Sequence, residues 1–407
     1  MNITEFVAKK GKYTFDELSL CSADTLVISQ LSYLKFDGIV PSPSDKSEGV
    51  RISDIINHPE YEGLYRDKRY EELNRPLFET MVASRRYKDL VLNYFVDIVN
   101  TVEDVQFSAM TVLGDKGFKY VVFRGTDENI VAWKEDLQMT YKCPIPAQSY
   151  ALKYLEDVIS KFEGPFYMGG HSKGGNLAVY AAMMCDDNIR ARIIRIFSHD
   201  GPGFTQKVMQ GSHYKEIEDR ITKYIPKAAI IGLLGLEDKY EVISSEKSGF
   251  QQHIPFNWII KGYDFKREKN VDLKSYIQIE TLNLWARDMS DEDWMFLSEE
   301  FFTVFQDVGI ANLNDVSEDM FGTVKKIVGD IESIEDEDTK KRMISIWEKL
   351  KEAASEVAKE DTRLGIEYAE KNLQKKKMEM FEMLAEVKHS TLDKRTSKKH
   401  KKLGTDL

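Results

Sequence analysis

Residues 165 to 185 read PFYMGGHSKGGNLAVYAAMMC, which sets Ser172 in a Gly-x-Ser-x-Gly pattern between a short apolar run and a long one. A serine hydroxyl becomes a nucleophile only when a base takes its proton and donors stabilise the oxyanion that forms. The flanking runs supply the setting. Phe166, Tyr167 and Met168 read as a strand, and a helix opens at Gly175 and Asn176. A serine at such a strand-to-helix turn is lifted clear of the sheet, and the crowding there calls for Gly170 and Gly174 beside it. The bland alternative is a glycine-rich turn or a phosphate loop, and the lack of GxGxxG spacing weakens its dinucleotide version.

Upstream, Phe123-Arg124-Gly125-Thr126-Asp127 ends an apolar strand, and Trp133 and Asp136 follow within WKEDL. FRGT, then WKEDL, then GGHSKGG resembles the class 3, fungal-type lipases and, more closely, a bacterial α/β-hydrolase family allied to them. The likeness runs over roughly residues 15 to 300, with specific motifs at 123 to 136, 165 to 180, 198 to 204 and 237 to 258. It implies that Thr126 donates to the oxyanion through its amide and its hydroxyl. The amide of Lys173, directly after the nucleophile, is the second donor. Lys173 departs from the leucine usual in class 3 lipases. Two readings stay open for its side chain: a cation that favours an anionic or phosphorylated substrate, or an outward side chain in a salt bridge.

Seven histidines compete for the role of base. His389 and His400 lie in a charged tail and His58 in a polar stretch, where solvated roles fit. His171 sits inside the turn, and its position next to Ser172 points it away from the serine. His199 and His213 remain open. His253, in Gln251-Gln252-His253-Ile254-Pro255, is favoured: a loop histidine beyond the last strand fits the order Ser, acid, His. For the acid, Leu236-Glu237-Asp238-Lys239-Tyr240 follows the apolar run AAIIGLLG and resembles the place where class 3 lipases carry their triad aspartate. Asp238 is therefore the expected acid, with Glu237 a close rival. Asp200, in SHDGPGF, is a third candidate, which the resemblance of Gly201-Pro202 to the family's turn assigns a structural role.

The elements that must position these residues are legible in outline. Asp24 to Leu34 and Tyr87 to Val96 read as helices, so residues 1–100 are expected to be mainly helical. FSAMTVLG and KYVVFRGT are β-rich runs separated by Asp115-Lys116-Gly117, a hairpin signal. Beyond them, Tyr150 to Lys161 reads as a helix, PFYMG a strand, NLAVYAAMMC a helix, IIRIFSH a strand, HYKEIEDRITKYI a helix and AAIIGLLG a strand. This alternation implies a mostly parallel central sheet with helices on both faces, an α/β-hydrolase fold. All ten prolines lie at or before Pro255, and Met343, Trp347, Leu350, Ala354 and Val357 recur at 4-3-4-3 spacing, the signature of long helices. The expected organisation is a hydrolase domain over 1–300, its core at 101–265, and a helical extension over 301–407.

The bulk numbers narrow the function. A formal charge of -11 argues against a partner held by phosphate neutralisation, so no nucleic acid is expected. Three cysteines without CxxC spacing give neither a disulfide framework nor a cysteine zinc site. No cofactor or metal is expected. The first residues lack a signal-peptide apolar run, which points to a cytoplasmic protein. Lys394, Arg395, Lys398, Lys399, Lys401 and Lys402 form a basic tail that reads as a solvated end, with peripheral contact to acidic lipid as the other reading. Residues 340–390 are an expected surface for a helical partner or self-association. The reading is a serine hydrolase of acyl esters, esterase- or lipase-like, with Ser172, Asp238 and His253 as triad and an acyl-enzyme intermediate. A thioesterase or acyltransferase would share that triad, and a non-catalytic interaction protein would share the fold.

Overall fold

Eight strands pair in chain order in the computed structural model of the chain, which describes residues 1–66, 70–103, 105–126, 135, 138–139, 141–236, 239–290, 292–297 and 336–360. They are β1 (Val50–Arg51), β2 (Val91–Asn100), β3 (Val105–Leu113), β4 (Lys119–Phe123), β5 (Phe166–His171), β6 (Ile193–His199), β7 (Ile221–Pro226) and β8 (Glu241–Ile243). β1 to β4 run antiparallel, and β4 to β8 run parallel, each parallel step bridged by a crossover. The β3–β4 hairpin forms as its sequence predicts, Leu113 opposite Lys119, with a single 3-10 turn at Asp115–Gly117. The result is the expected α/β-hydrolase-like sheet with flanking helices.

Side-chain alternation splits the core between the two faces. Along β4, Tyr120 and Val122 join the cluster built with the N-terminal helices Ile3–Lys10, Ser22–Leu31 and Glu71–Ala83. Val121 and Phe123 join the opposite cluster, under the helices Pro146–Ile159 and Lys173–Met184. Each fully buried apolar side chain contributes about 1.5–3 kcal/mol, so both faces anchor the strands that carry the site.

Three elements differ from the sequence expectation. Residues Val91–Asn100 form a strand, not a helix; its register against β3 shifts between Asn93 and Val96, where Tyr94 takes φ 57°. That bulge breaks the period-2 pattern and lets the run imitate a helical stripe. The second half of HYKEIEDRITKYI is β7, because Ile221 to Pro226 pairs in parallel with β6. AAIIGLLG holds a 3-10 turn at Ile231–Leu233 and no strand.

The chain divides into two compact units, Met1–Leu350 and Lys351–Leu407. Within the first, the helix Leu273–Arg287 packs against later residues: Trp285 donates its indole N–H to the Ile346 carbonyl at 3.1 Å, and Met343 and Ile346 are buried with Trp294 and Leu297. Thus part of the 340–390 stripe is covered within its own unit. In the second unit residues 351–360 are described, and they are helical. The basic tail lies outside the described residues. No described helix is long and apolar enough to cross a membrane.

Candidate active site

Ser172 lies between the last residue of β5 and the helix Lys173–Met184, with φ 56° and ψ −134°. A residue bearing a Cβ is strained there by roughly 1–3 kcal/mol, and the surroundings hold it: the Ser172 amide donates to the His199 carbonyl at 2.9 Å, and the Gly175 amide to the Ser172 carbonyl at 2.9 Å. This is the expected elbow. Lys173 is the first residue of the helix, so its amide is among those without an intrahelical acceptor, beside Ser172.

The FRGT loop presses directly on the elbow. A Cβ on Gly125 would lie 2.6 Å from the His171 carbonyl oxygen and 3.0 Å from Ser172 Cβ. Only a bare backbone permits this approach, and Thr126, the next residue, is buried. Arg124 is turned the other way and forms a fork on Asp97, at 2.8 and 2.6 Å. Burial works to raise the Asp97 carboxyl, but Arg124 and then Lys35 outweigh it and hold it below its ordinary range.

His253 ends a 3-10 turn, Gly249–His253, beyond β8. Its Nδ1 lies 2.6 Å from Asp200 Oδ2, and the Asp200 side chain is fully buried. Asp200 follows β6 at once, with φ 52°. Its amide donates to the Tyr224 carbonyl at 2.7 Å, and its second carboxylate oxygen accepts from the Gly232 amide at 3.1 Å. A carboxylate bonded to Nδ1 fixes the tautomer that leaves Nε2 as the proton acceptor. The structure therefore brings His253 together with the third-ranked acid. Asp238 and Glu237 lie outside the described residues, as do Trp133 and Asp136.

The Lys173 side chain forms a salt bridge, as the second open reading has it, but not an outward one. It points inward, fully buried, and donates to Glu135 Oε2 at 2.9 Å, Gln106 Oε1 at 2.9 Å and the Gln106 carbonyl at 3.0 Å. All three ammonium hydrogens are thereby used. Glu135 in turn accepts from the Ala147 amide at 2.6 Å and the Gln106 amide at 3.3 Å.

With this geometry in place, the Mbeg1-like family model matches residues 81–303, more than half of the chain. The chain belongs to the Mbeg1-like family. Among solved structures, this Mbeg1-like chain is similar to one titled "Crystal structure of M37 lipase", at 16% identity, over 53% of this chain and 70% of that one, with a TM-score of 0.35. No curated protein matches it. The elbow, FRGT, Asp200 and His253 all fall inside the matched region, and the helices Ile3–Lys10 and Ser22–Leu31 precede it.

The remaining histidines of the Mbeg1-like chain are accounted for where described. His199 is fully buried between Thr25 Oγ1 at 3.0 Å and Ser29 Oγ at 3.2 Å, and burial lowers its pKa to about 3. It is a neutral structural group. His213 is exposed on a short helix, and His58 Nδ1 accepts from the Glu60 amide at 3.1 Å. His389 and His400 lie outside the described residues. A cavity of about 30 Å³ abuts Ser172, lined by Met139, Lys173, Pro202, Gly203, Ile231 and Leu234. It has room for about one water. Sequence reasoning missed Glu135, whose signal was its place in WKEDL, and held Asp200, the carboxylate found beside His253, as its third candidate.

Proposed function

We propose that this chain is a serine hydrolase of acyl esters, esterase- or lipase-like, using Ser172 as nucleophile, His253 as base and Asp200 as the orienting acid. The observation that carries the reading is the 2.6 Å bond from His253 to a buried Asp200, with His253 held by His171, the residue that precedes a serine in elbow geometry. Ser172 Oγ attacks the acyl carbonyl while His253 Nε2 takes its proton, and the imidazolium is held by Asp200. The amides of Lys173 and Thr126 receive the oxyanion, each such donor contributing about 10²- to 10³-fold in rate. His253 returns the proton to the departing alcohol, leaving the acyl group on Ser172, and water repeats the cycle to release the acid. Membership of a lipase-like family supports this reading, and the resemblance to class 3 lipases is consistent with it.

A fluorophosphonate probe tests it. The wild type should be labelled near neutral pH and Ser172→Ala should not. Absence of wild-type labelling under those conditions would overturn the proposal.

A further inference from the structure

Three successive carbonyls of the turn that carries His253 each receive a side-chain donor. Asn257 Nδ2 donates to Gln251 at 2.8 Å, the Trp258 indole to Gln252 at 2.8 Å, and His171 Nε2 meets the His253 carbonyl at 2.8 Å. Two of these donors belong to the same loop. His171 does not: it is the last residue of β5 and directly precedes Ser172. We infer that His171 is a positioning residue that registers the loop bearing the base against the nucleophile, with Tyr33 setting its tautomer. The inference rests on the serine-hydrolase reading for its consequence in rate, though not for its geometry.

The tautomer follows from the partners. A carbonyl oxygen only accepts, so Nε2 of His171 carries the hydrogen. Its Nδ1 then accepts from the Tyr33 hydroxyl, 2.9 Å away. The same hydroxyl packs against Gly125, where an added Cβ would meet it well inside contact distance. Tyr33 thus touches both the FRGT loop and the histidine that holds the base. The ring of His171 lies 4.5 Å from that of His253, centroid to centroid. A base that becomes cationic during turnover needs a neutral neighbour at that range, and the Tyr33 hydroxyl, as donor to Nδ1, supplies the neutral form. His171 is 4% exposed, so water does not substitute for these bonds. Tyr33 precedes the region matched by the family model, so the N-terminal helical segment completes the site.

The test compares His171→Gln, His171→Asn and Tyr33→Phe. A glutamine amide reaches the place of Nε2 and can still donate to the His253 carbonyl; an asparagine amide reaches only the Nδ1 side. Fluorophosphonate inactivation should slow by about 10- to 100-fold in His171→Asn, with half-saturating probe concentration unchanged, since slight misplacement of a base costs rate more than binding. His171→Gln should recover most of that loss, and Tyr33→Phe should fall between. In parallel, NMR should show the hydrogen-bonded Nδ1 proton of His253 in the wild type and His171→Gln, and its loss to solvent exchange in His171→Asn. Wild-type rate and an unchanged proton signal in His171→Asn would overturn the inference. An unlabelled wild type with the NMR pattern as described would sink the hydrolase reading and leave the positioning role standing.

Discussion

Lys173 and Glu135 form a fully buried ion pair at 2.9 Å, one residue from Ser172. Two consequences follow. The cation next to Ser172 is spent on the scaffold, so it does not present charge to a substrate. Removing one partner alone should be severe, about 3–5 kcal/mol, because an uncompensated charge stays buried, whereas replacing both by apolar groups is tolerated far better. Chemical denaturation of Lys173→Met, Glu135→Leu and the double variant should give that order. The double variant should also keep the wild-type ratio of rates on anionic and neutral esters; a selective loss on anionic esters would restore a substrate role for Lys173.

Asp200 holds the Nδ1 face of His253. Asp200→Asn leaves the shape intact and favours the wrong imidazole tautomer, so turnover should fall by about 10³- to 10⁴-fold. Asp238→Asn and Glu237→Gln are the controls, expected to stay within a few-fold of wild type. Steady-state kinetics on a short-chain ester decides, and a collapse in Asp238→Asn with activity kept in Asp200→Asn would reassign the acid.

Gly232 approaches Asp200 so closely that an added Cβ would overlap Asp200 Oδ1. The carboxylate must then move, and with it the imidazole. Gly232→Ala should lower kcat by about 10²-fold, the usual effect of a displacement near 1 Å. Its circular dichroism should match the wild type, since Gly232 lies in a three-residue 3-10 turn outside the regular strands and helices.

His199 supplies a pH term of known sign. Burial lowers its pKa from the ordinary 6.5 to about 3, so the unfolded chain binds a proton that the folded chain refuses. Stability from this residue is present above about pH 6.5 and is lost as the pH falls toward 3, at up to about 1.4 kcal/mol per pH unit. Between pH 7 and 5 the wild type should lose about 1–2 kcal/mol more than His199→Gln, which cannot titrate. Urea unfolding of both proteins at the two pH values measures the difference, and parallel losses would contradict it.

What the sequence determined by itself was local. The β3–β4 hairpin, the elbow at Ser172 and the placing of His253 on a late loop each rest on a few adjacent residues whose conformational needs are written in their types, and the fold class followed from their alternation. Tertiary structure decided everything that depends on which strand lies beside which. Asp238 was preferred to Asp200 because β7 was read as helix and the Ile231–Leu233 turn as the late strand that an acid should follow. Only the pairing of β6 with β5 and β7 sets Asp200, at the end of β6, within reach of the His253 loop. The inward fold of Lys173 needed Glu135 and Gln106, which come from other segments. The tie from Tyr33 through His171 to His253 spans 138 and then 82 positions, a distance over which no sequence pattern carries information about contact. A motif can specify the shape of its own turn; the identity of its partners is set by packing, where burial leaves a polar group no alternative to the neighbour the fold supplies.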